Sequence, residues 1–281
     1  MMKKIFCFGV GFSAVDILTQ SRDAGYEVSG CVRSQDKADT LNACYDFNVV
    51  TLESLTAEYF SDITHIVMSI PPARDGGSSY ADYKVFVDSA VHLEWLGYLS
   101  TTGVYGDKQG GWVDENTPVS PSGKRGKFRV EAEAYWHSVC DKVHVFRLPG
   151  IYGKGRSALD TVSHKGAKAV DKKEQVFSRI HTYDIAQTVV ASMQQPRHGA
   201  VYNVVDDMAT SPIAPLLFAC DLLGITPVPI VDYDSAELSP MAKSFYADSK
   251  RVKNILIKQE LGVLLKYPTY LEGLQAIFDA R

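Results

Sequence analysis

The feature that most constrains the fold is a glycine-rich turn near the start of the chain. A short apolar run, Ile5-Phe6-Cys7-Phe8, leads directly into Gly9-Val10-Gly11-Phe12-Ser13-Ala14, and an amphipathic stretch follows it. Two glycines at this spacing let the backbone reverse sharply between a buried strand and a helix, and a small residue three positions later lets the helix pack closely on the strand. The chain therefore begins with a strand, a tight turn and a helix, a unit that builds parallel sheets.

The first 150 residues repeat this alternation of strand-like and helical segments. Short β-branched or aromatic runs predict six strands, at residues 3–8, 27–32, 47–50, 65–70, 96–101 and 143–148. Amphipathic stretches between them predict helices at residues 13–24, 36–43, 80–93 and 124–140. Such alternation is typical of a parallel sheet covered by helices on both faces. We therefore expect an α/β protein whose residues 1–150 form a Rossmann-type doubly wound parallel sheet.

The pattern loosens beyond Pro149. Several glycines mark loops there, and the next clear strand is predicted only at residues 201–204. A last helix is predicted at residues 270–280, where apolar side chains form one stripe. We expect residues 151–281 to form mainly a smaller, substrate-side lobe, with the chain returning to the first domain near residues 176–205.

The glycine-rich turn also predicts a dinucleotide site. The first N–H groups of a helix that begins at such a turn are unpaired, and together with the helix dipole they attract phosphate. Gly9 serves the tight turn, whereas Gly11 lets the backbone approach a pyrophosphate. We also place Ser69, in the fourth predicted strand, and Pro149, after the sixth, among the cofactor contacts. The alternative is a glycine-rich turn that binds no ligand.

The end of the second predicted strand favours NADP over NAD. In dinucleotide-binding folds an acidic side chain near this position binds the ribose 2′-hydroxyl and repels a 2′-phosphate. Here the strand ends in Arg33-Ser34. A guanidinium beside a hydroxyl suits a 2′-phosphate, so we expect NADP, with NAD as the second choice. The alternative is a solvated arginine with no part in binding.

Three further motifs extend the pattern over nearly the whole chain. They are Ser100-Thr101-Thr102-Gly103-Val104-Tyr105-Gly106, Arg147-Leu148-Pro149-Gly150-Ile151-Tyr152-Gly153 and Arg179-Ile180-His181-Thr182-Tyr183-Asp184-Ile185-Ala186. With the glycine-rich turn, they resemble the extended short-chain dehydrogenase/reductase superfamily, which contains the NAD-dependent epimerases and dehydratases. The resemblance implies a nicotinamide cofactor, a small-molecule substrate oriented by Thr101, and a homodimer through the helices predicted at 80–93 and 124–140.

The catalytic pair of that superfamily is missing from its expected place. The family carries a Tyr-x-x-x-Lys motif on the helix after the Ser-Thr motif, but the matching positions here hold Arg125 and Arg129. The chain thus resembles an atypical branch without the pair. Two other Tyr-x-x-x-Lys strings, at Tyr80 and Tyr246, are chance matches by their position.

An arginine keeps its proton at any accessible pH, so Arg125 cannot act as a general acid or base. It can bind a carboxylate or phosphate of the substrate, while Arg129 can replace the lysine as a donor to the cofactor ribose. The alternative is a solvated helix face on which Arg129 pairs with Glu133.

A reaction would therefore need another proton donor, and Tyr105 and Thr101 are the nearest candidates. A neighbouring cation can lower the pKa of a phenol. The alternative, which the family resemblance favours, is that Tyr105 forms a wall of the pocket. We predict an NADP-dependent oxidoreductase or epimerase/dehydratase-like enzyme for a small substrate that an arginine can bind as an anion. The alternative is a non-catalytic NADP(H)-binding sensor or regulatory protein.

Composition limits the partners and the compartment. A net charge of −4 provides no general field for nucleic acid, and no apolar run reaches the length of a membrane span. The cysteine count is odd and no Cys-x-x-Cys pair occurs, so we expect buried thiols in the cytoplasm rather than disulfides or a metal site.

Overall fold

A computed structural model of the protein describes residues 2–72 and 79–281. Its strands are β1 (Lys4–Phe8), β2 (Glu27–Val32), β3 (Asn48–Thr51), β4 (His65–Met68), β5 (Trp95–Thr101), β6 (Trp112–Val113), β7 (Val143–Leu148), β8 (Gly150–Tyr152), β9 (Ala169–Asp171), β10 (Arg179–His181), β11 (Val201–Asn203), β12 (Ile230–Asp232) and β13 (Arg251–Val252). Its α-helices are α1 (Phe12–Asp23), α2 (Gln35–Tyr45), α3 (Ser79–Asp82), α4 (Lys84–Ser89), α5 (Lys124–Val139), α6 (Ala158–Val162), α7 (Thr182–Gln194), α8 (Ala214–Leu222), α9 (Pro240–Tyr246), α10 (Ile255–Leu261) and α11 (Tyr270–Asp279).

Seven of these strands form one parallel sheet in the order β11-β7-β5-β4-β1-β2-β3. The order runs outward in both directions from β1, which lies between β2 and β4. The carboxyl ends of β1 and β4 therefore form a topological switch point, where open α/β sheets bind ligands. The predicted α/β fold with a Rossmann-type doubly wound parallel sheet is confirmed.

Both faces of the sheet are buried. In β1, Ile5 and Cys7 belong to the core under α1 and α7, whereas Phe6 and Phe8 belong to the core on the opposite face, with Phe60. A strand that is buried on both sides has no polar positions to alternate with apolar ones. This explains why β1 appears in the sequence as an unbroken apolar run.

The helix predicted at residues 80–93 differs from the structure. The chain forms two short helices, α3 and α4, and α4 ends at Ser89. The chain then makes a turn in which the Leu93 N–H donates to the carbonyl of Ala90, and Glu94 donates to the carbonyl of Thr64. The turn aligns β5 with β4, so the helix cannot continue to the strand.

Beyond β7 the chain builds smaller units and returns once to the main sheet. Two-stranded parallel pairs form from β8 with β10 and from β9 with β12. The chain returns through α7, which packs on α1, and β11, which pairs with β7. The helices α6, α8 and α11 share a separate core that contains Leu159, Ala219 and Leu274.

One expectation about the cysteines was wrong. Cys7, Cys31, Cys140 and Cys220 are buried, but Cys44 is exposed. It lies near the end of α2, on a helix that buries only Ala38 and Leu41 against the sheet. In residues 2–72 and 79–281, no helix has the length and apolar character needed to cross a membrane.

Candidate functional site

The glycine-rich turn lies at the switch point, and the backbone conformation and packing at position 9 require a glycine. Its φ of +84° lies in the left-handed region, and a Cβ placed there would be 2.8 Å from Cγ1 of Ile70. The N–H groups of Gly9 and Val10 both donate to the carbonyl of Cys31, at 3.1 and 3.0 Å. These bonds fasten the turn to the end of β2.

Gly11 is different, because nothing in the described protein requires a glycine there. Its φ is −105°, and among the described atoms a Cβ would approach only the Gly9 carbonyl oxygen within 4 Å, at 3.8 Å. Gly11 is the N-cap of α1, and no side-chain hydrogen bond caps this helix in the described part of the chain. As far as the described residues show, an uncapped helix of 12 residues thus begins beside open space. Such an end can bind an anion.

The remaining residues of the turn divide between the core and the surface. Ala14 is fully buried in the core under α1, and Ser13 is buried beside it. Phe12 is half-buried, and its ring lies 5.4 Å from the guanidinium carbon of Arg156. This contact connects the glycine-rich turn to the segment that follows β8.

Three other predicted cofactor residues lie at the same edge of the sheet. Ser69 follows β4, and its N–H donates to the carbonyl of Phe8 at 3.0 Å, immediately before the turn. Arg33 and Ser34 follow β2, and both side chains are exposed. Ser34 is the N-cap of α2, without a side-chain cap of its own in the residues that the structure describes.

The ends of β5 and β7 contribute the next part of the edge. Thr101 pairs in register with Leu148, so Pro149 follows at the same level of the neighbouring strand. The Thr101 hydroxyl oxygen accepts the N–H of Gly103 at 3.1 Å and caps the short turn Thr102–Tyr105. In the described ranges this hydroxyl has no acceptor for its own proton. It can donate to a ligand.

The start of α5 packs directly on the backbone after β5. A Cβ at Gly126 would lie 2.6 Å from Cβ of Pro121 and 2.9 Å from the carbonyl oxygen of Gly103. Only a glycine permits this approach. Gly126, which sequence reasoning did not single out, therefore brings the α5 arginines to the level of Thr101.

The two arginines of α5 have different surroundings. Arg129 donates through Nη1 to the Leu99 carbonyl at 2.5 Å and to the Tyr98 hydroxyl at 3.2 Å. Its guanidinium also lies 5.7 Å from the centre of the Tyr98 ring. Arg125 is exposed and forms no hydrogen bond, ion pair or ring contact with the residues that the structure describes. The structure therefore directs Arg129 to the end of β5 and leaves Arg125 unpaired.

The alternative in which Arg129 pairs with Glu133 is not observed, because Glu133 belongs to a buried network. Arg147 Nη2 lies 2.8 Å from Glu133 Oε2, and the two side chains are 8% and 7% exposed. Ser100 donates its hydroxyl to the other carboxylate oxygen at 2.5 Å. The network joins β5, α5 and β7. The sequence did not predict this network, because Arg147 and Glu133 are 14 residues apart on different elements.

The expectation that Tyr105 could donate a proton is not supported by its position. Its hydroxyl donates to Asn203 Oδ1 at 2.8 Å and accepts from Arg147 Nη1 at 2.9 Å. The side chain is fully buried, and this burial raises the pKa of the phenol although Arg147 opposes the effect. Its proton is directed into the interior, away from the edge of the sheet. Tyr105 is thus a structural residue.

His181 is also structural. Its Nδ1 accepts the N–H of Tyr183 at 3.0 Å and caps α7, and burial lowers the pKa of the ring to about 4. The neutral imidazole stabilises the start of the helix.

A cavity of about 380 Å³ lies between β8, α6 and α11, and its lining includes Arg156, which contacts Phe12 of the glycine-rich turn. Arg156 and Arg179 line the cavity, together with Tyr152, Tyr270 and Leu274. Sequence reasoning noted Arg179 only as part of a motif and missed Arg156. The signal available in the sequence was the position of Arg156, four residues after Tyr152.

Comparison with known proteins places this geometry in context. No family model matches the chain. Protein YeeZ of Escherichia coli strain K12 is 27% identical over 220 residues, which cover 72% of this chain and 77% of that protein. A functionally unknown conserved protein from Silicibacter pomeroyi DSS is 40% identical, with 99% of each chain covered and a TM-score of 0.93.

More distant solved structures share the fold. The dTDP-glucose 4,6-dehydratase of Bacillus anthracis str. Ames in complex with NAD is 18% identical, with 99% of this chain and 96% of that chain covered and a TM-score of 0.79. The UDP-glucuronic acid 4-epimerase of Bacillus cereus in complex with NAD is 15% identical, with 98% and 97% covered and a TM-score of 0.76. The chain therefore has the fold of these epimerases and dehydratases.

Proposed function

The chain belongs to the same family as the functionally unknown conserved protein of Silicibacter pomeroyi DSS, and we propose a function for the chain from the geometry of its own site. We propose that the chain binds a nicotinamide dinucleotide, with NADP(H) preferred, and uses this cofactor in an oxidoreductase or epimerase-like reaction on a small molecule. The observation that carries this proposal is the open space at Gly11, at the uncapped start of α1. Similarity of fold to proteins that were solved with NAD supports it.

Each predicted cofactor residue has a role in this proposal. The N–H groups at the start of α1, from Phe12 to Ala14, bind the pyrophosphate where Gly11 leaves room for it. Ser69 lies beside the turn, and Arg33 with Ser34 binds the 2′-phosphate.

The nicotinamide end of the cofactor would lie between Pro149 and Arg129. One nitrogen of the Arg129 guanidinium, Nη1, donates to the Leu99 carbonyl and to the Tyr98 hydroxyl. The other N–H donors of the guanidinium would bind a ribose hydroxyl.

The substrate would meet the cofactor at the ends of β5 and β7. Thr101 orients it through the free proton of its hydroxyl, and Arg125 offers positive charge at the position of the family tyrosine. Neither residue supplies a proton by titration near neutral pH. A reaction at this site therefore uses a proton carried by the substrate or by water.

The pyrophosphate site is tested by Gly11→Ala, because the described protein has room for a methyl group there, with only an ordinary contact of 3.8 Å to the Gly9 carbonyl oxygen. Gly123→Ala is a matched control, since Gly123 is also an N-cap glycine with extended backbone and nothing within 4 Å of its Cβ. Titration with NADPH, followed by its fluorescence, should show at least tenfold weaker binding for Gly11→Ala, about 1.4 kcal/mol. Both variants should keep the melting temperature of the parent within a few degrees, because an N-cap alanine in place of glycine costs only about 1 kcal/mol or less. Unchanged NADPH affinity in Gly11→Ala would contradict the proposed site.

A second candidate function is a non-catalytic NADP(H)-binding sensor. It is favoured by the buried hydroxyl of Tyr105, whose proton is directed into the interior and away from the edge of the sheet. A screen of aldehydes, ketones and oxo acids separates the candidates. Steady NADPH oxidation with any of them supports the enzyme, whereas tight NADPH binding without turnover supports the sensor.

A further inference from the structure

The cavity between β8, α6 and α11 combines an apolar part of its wall with a polar part that includes two arginines. Tyr270, Leu274 and Pro215 form part of its wall, and Arg156 and Arg179 contribute positive charge. Its volume of about 380 Å³ lies at the lower end of the range for ligand pockets, about 300–1,000 Å³. Such a cavity suits a compact ligand with one charged end and one apolar end.

A tight turn positions Arg156 between this cavity and the proposed dinucleotide site. The backbones of Gly153 and Arg156 exchange hydrogen bonds at 3.1 and 3.0 Å, and Gly155 adopts a φ of +77°. A Cβ at Gly153 would lie 3.2 Å from Cζ of Phe12 and 2.7 Å from the Thr182 hydroxyl. The turn therefore packs against the first residues of α1 and α7, and the guanidinium of Arg156 lies over the Phe12 ring.

Arg179 is fixed from the other side. Its guanidinium donates to the carbonyl of Phe177 at 3.1 Å and to that of Ser211 at 3.2 Å. These two bonds hold the group in place without neutralising it. A preorganised guanidinium loses little freedom when it binds an anion.

The charge around the cavity selects the class of anion. Asp160 also lines it, but its carboxylate is paired with Arg281 and accepts the Ser157 hydroxyl at 2.6 Å. Burial raises the pKa of the Asp206 carboxyl to about 7, so at pH 8 this group is mainly ionised and its charge opposes that of Arg179. At that pH one net positive charge remains. It matches a monoanion better than a phosphate dianion.

We propose that this cavity binds the substrate and that the substrate is a small monocarboxylate with an apolar body, its carboxylate held by Arg156 and Arg179. This inference rests on the proposed function, which it deepens by naming the substrate class. It also moves the anion contact from Arg125, at the start of α5, to the turn that touches Phe12.

The test measures binding of 4-methylpentanoate at pH 8 by isothermal titration calorimetry, with the full chain and saturating NADPH. The neutral 4-methylpentanamide should bind at least tenfold more weakly, because it lacks the charge. Inorganic phosphate should also bind at least tenfold more weakly, because it lacks the apolar body. Equal binding of the acid and the amide, or tighter binding of phosphate, would overturn the proposal.

Matched variants locate the contact. Arg156→Gln should weaken binding of the acid at least tenfold, whereas Lys154→Gln removes the same charge from the same exposed turn and should leave it unchanged. Thr161→Trp places a large side chain at an exposed position of the cavity wall and should also abolish binding. Loss of binding in Arg125→Gln with full binding in Arg156→Gln would assign the anion to α5 and overturn the proposal.

The cavity and the dinucleotide site are distinguished by measuring each ligand alone. Binding of the acid without binding of NADPH would leave the cavity assignment standing and refute the proposed function. Binding of NADPH without the acid, or mutual exclusion of the two, would refute the cavity as a substrate site and leave NADPH binding intact.

Discussion

The ion pair between Glu133 and Arg147 gives the sharpest test of the buried network. Arg147→Met removes the guanidinium but keeps an apolar side chain of similar length. Among the described residues, the variant leaves the Glu133 carboxylate, 7% exposed, with only the Ser100 hydroxyl as a hydrogen-bond partner. It also removes a donor from the Tyr105 hydroxyl. Breaking a buried pair from one side costs about 3–5 kcal/mol of unfolding free energy, because an uncompensated charge stays in the interior.

The double variant tests the physical reason for this cost. Glu133→Leu alone leaves Arg147 unpaired and should be similarly costly. When both changes are combined, no unpaired charge remains, so the double variant should be more stable than the sum of the single effects predicts. An apolar pair in place of a buried ion pair is often neutral or stabilising.

Urea unfolding at pH 7.5, followed by tryptophan fluorescence, measures these differences. The control is Arg197→Met, which breaks the pair with Glu260 on the surface, where the side chains are 51% and 34% exposed. It should cost about 1 kcal/mol or less. A cost below about 1 kcal/mol for Arg147→Met, or strictly additive single effects, would refute the assignment of this pair as a buried and coupled unit.

Three further predictions concern the cofactor, the phenol and pH. NADPH should bind at least tenfold tighter than NADH, about 1.4 kcal/mol, and Arg33→Asp should reverse the order in fluorescence titrations; equal affinities would contradict a 2′-phosphate site. Tyr105→Phe should lower the unfolding free energy by about 1–3 kcal/mol, since it leaves Asn203 Oδ1 without its donor, yet keep NADPH affinity unchanged. Burial lowers the pKa of His65 and of His144 to about 4. The folded state therefore binds fewer protons than the unfolded state below about pH 6.5, and stability should fall as pH falls from about 7 towards 4. In urea unfolding, His144→Phe should reduce the loss of stability between pH 7.5 and pH 5. An unchanged loss would count against the buried neutral ring of His144 as a cause of the pH dependence.

The sequence by itself determined the sheet and its first turn. The bounds predicted for β2 and β7, residues 27–32 and 143–148, agree with the structure. Both strands are buried at nearly every position, and the valines, phenylalanine and leucine among their residues are enough to mark them in the sequence. Gly9 and Gly11 could be assigned to a strand-to-helix turn because that turn is local, and its backbone conformation depends on residues that are adjacent in the chain. The proposed pyrophosphate site at Gly11 depends on the same few residues.

Only the tertiary structure decided the direction of the polar side chains. Tyr105 stands at a strand end, where a phenol can face a ligand or the interior, and its partner Asn203 lies 98 residues away. Glu133 shares a helix stripe with Arg129, yet it pairs with Arg147 because β7 lies beside β5 in the sheet. The cavity of Arg156 and Arg179 likewise depends on β8 pairing with β10. Local sequence patterns determine which segments become strands, turns and helices. The partners of the polar side chains depend instead on the order of the strands in the sheet and on the cost of burying a charge, and both arise only when the chain packs.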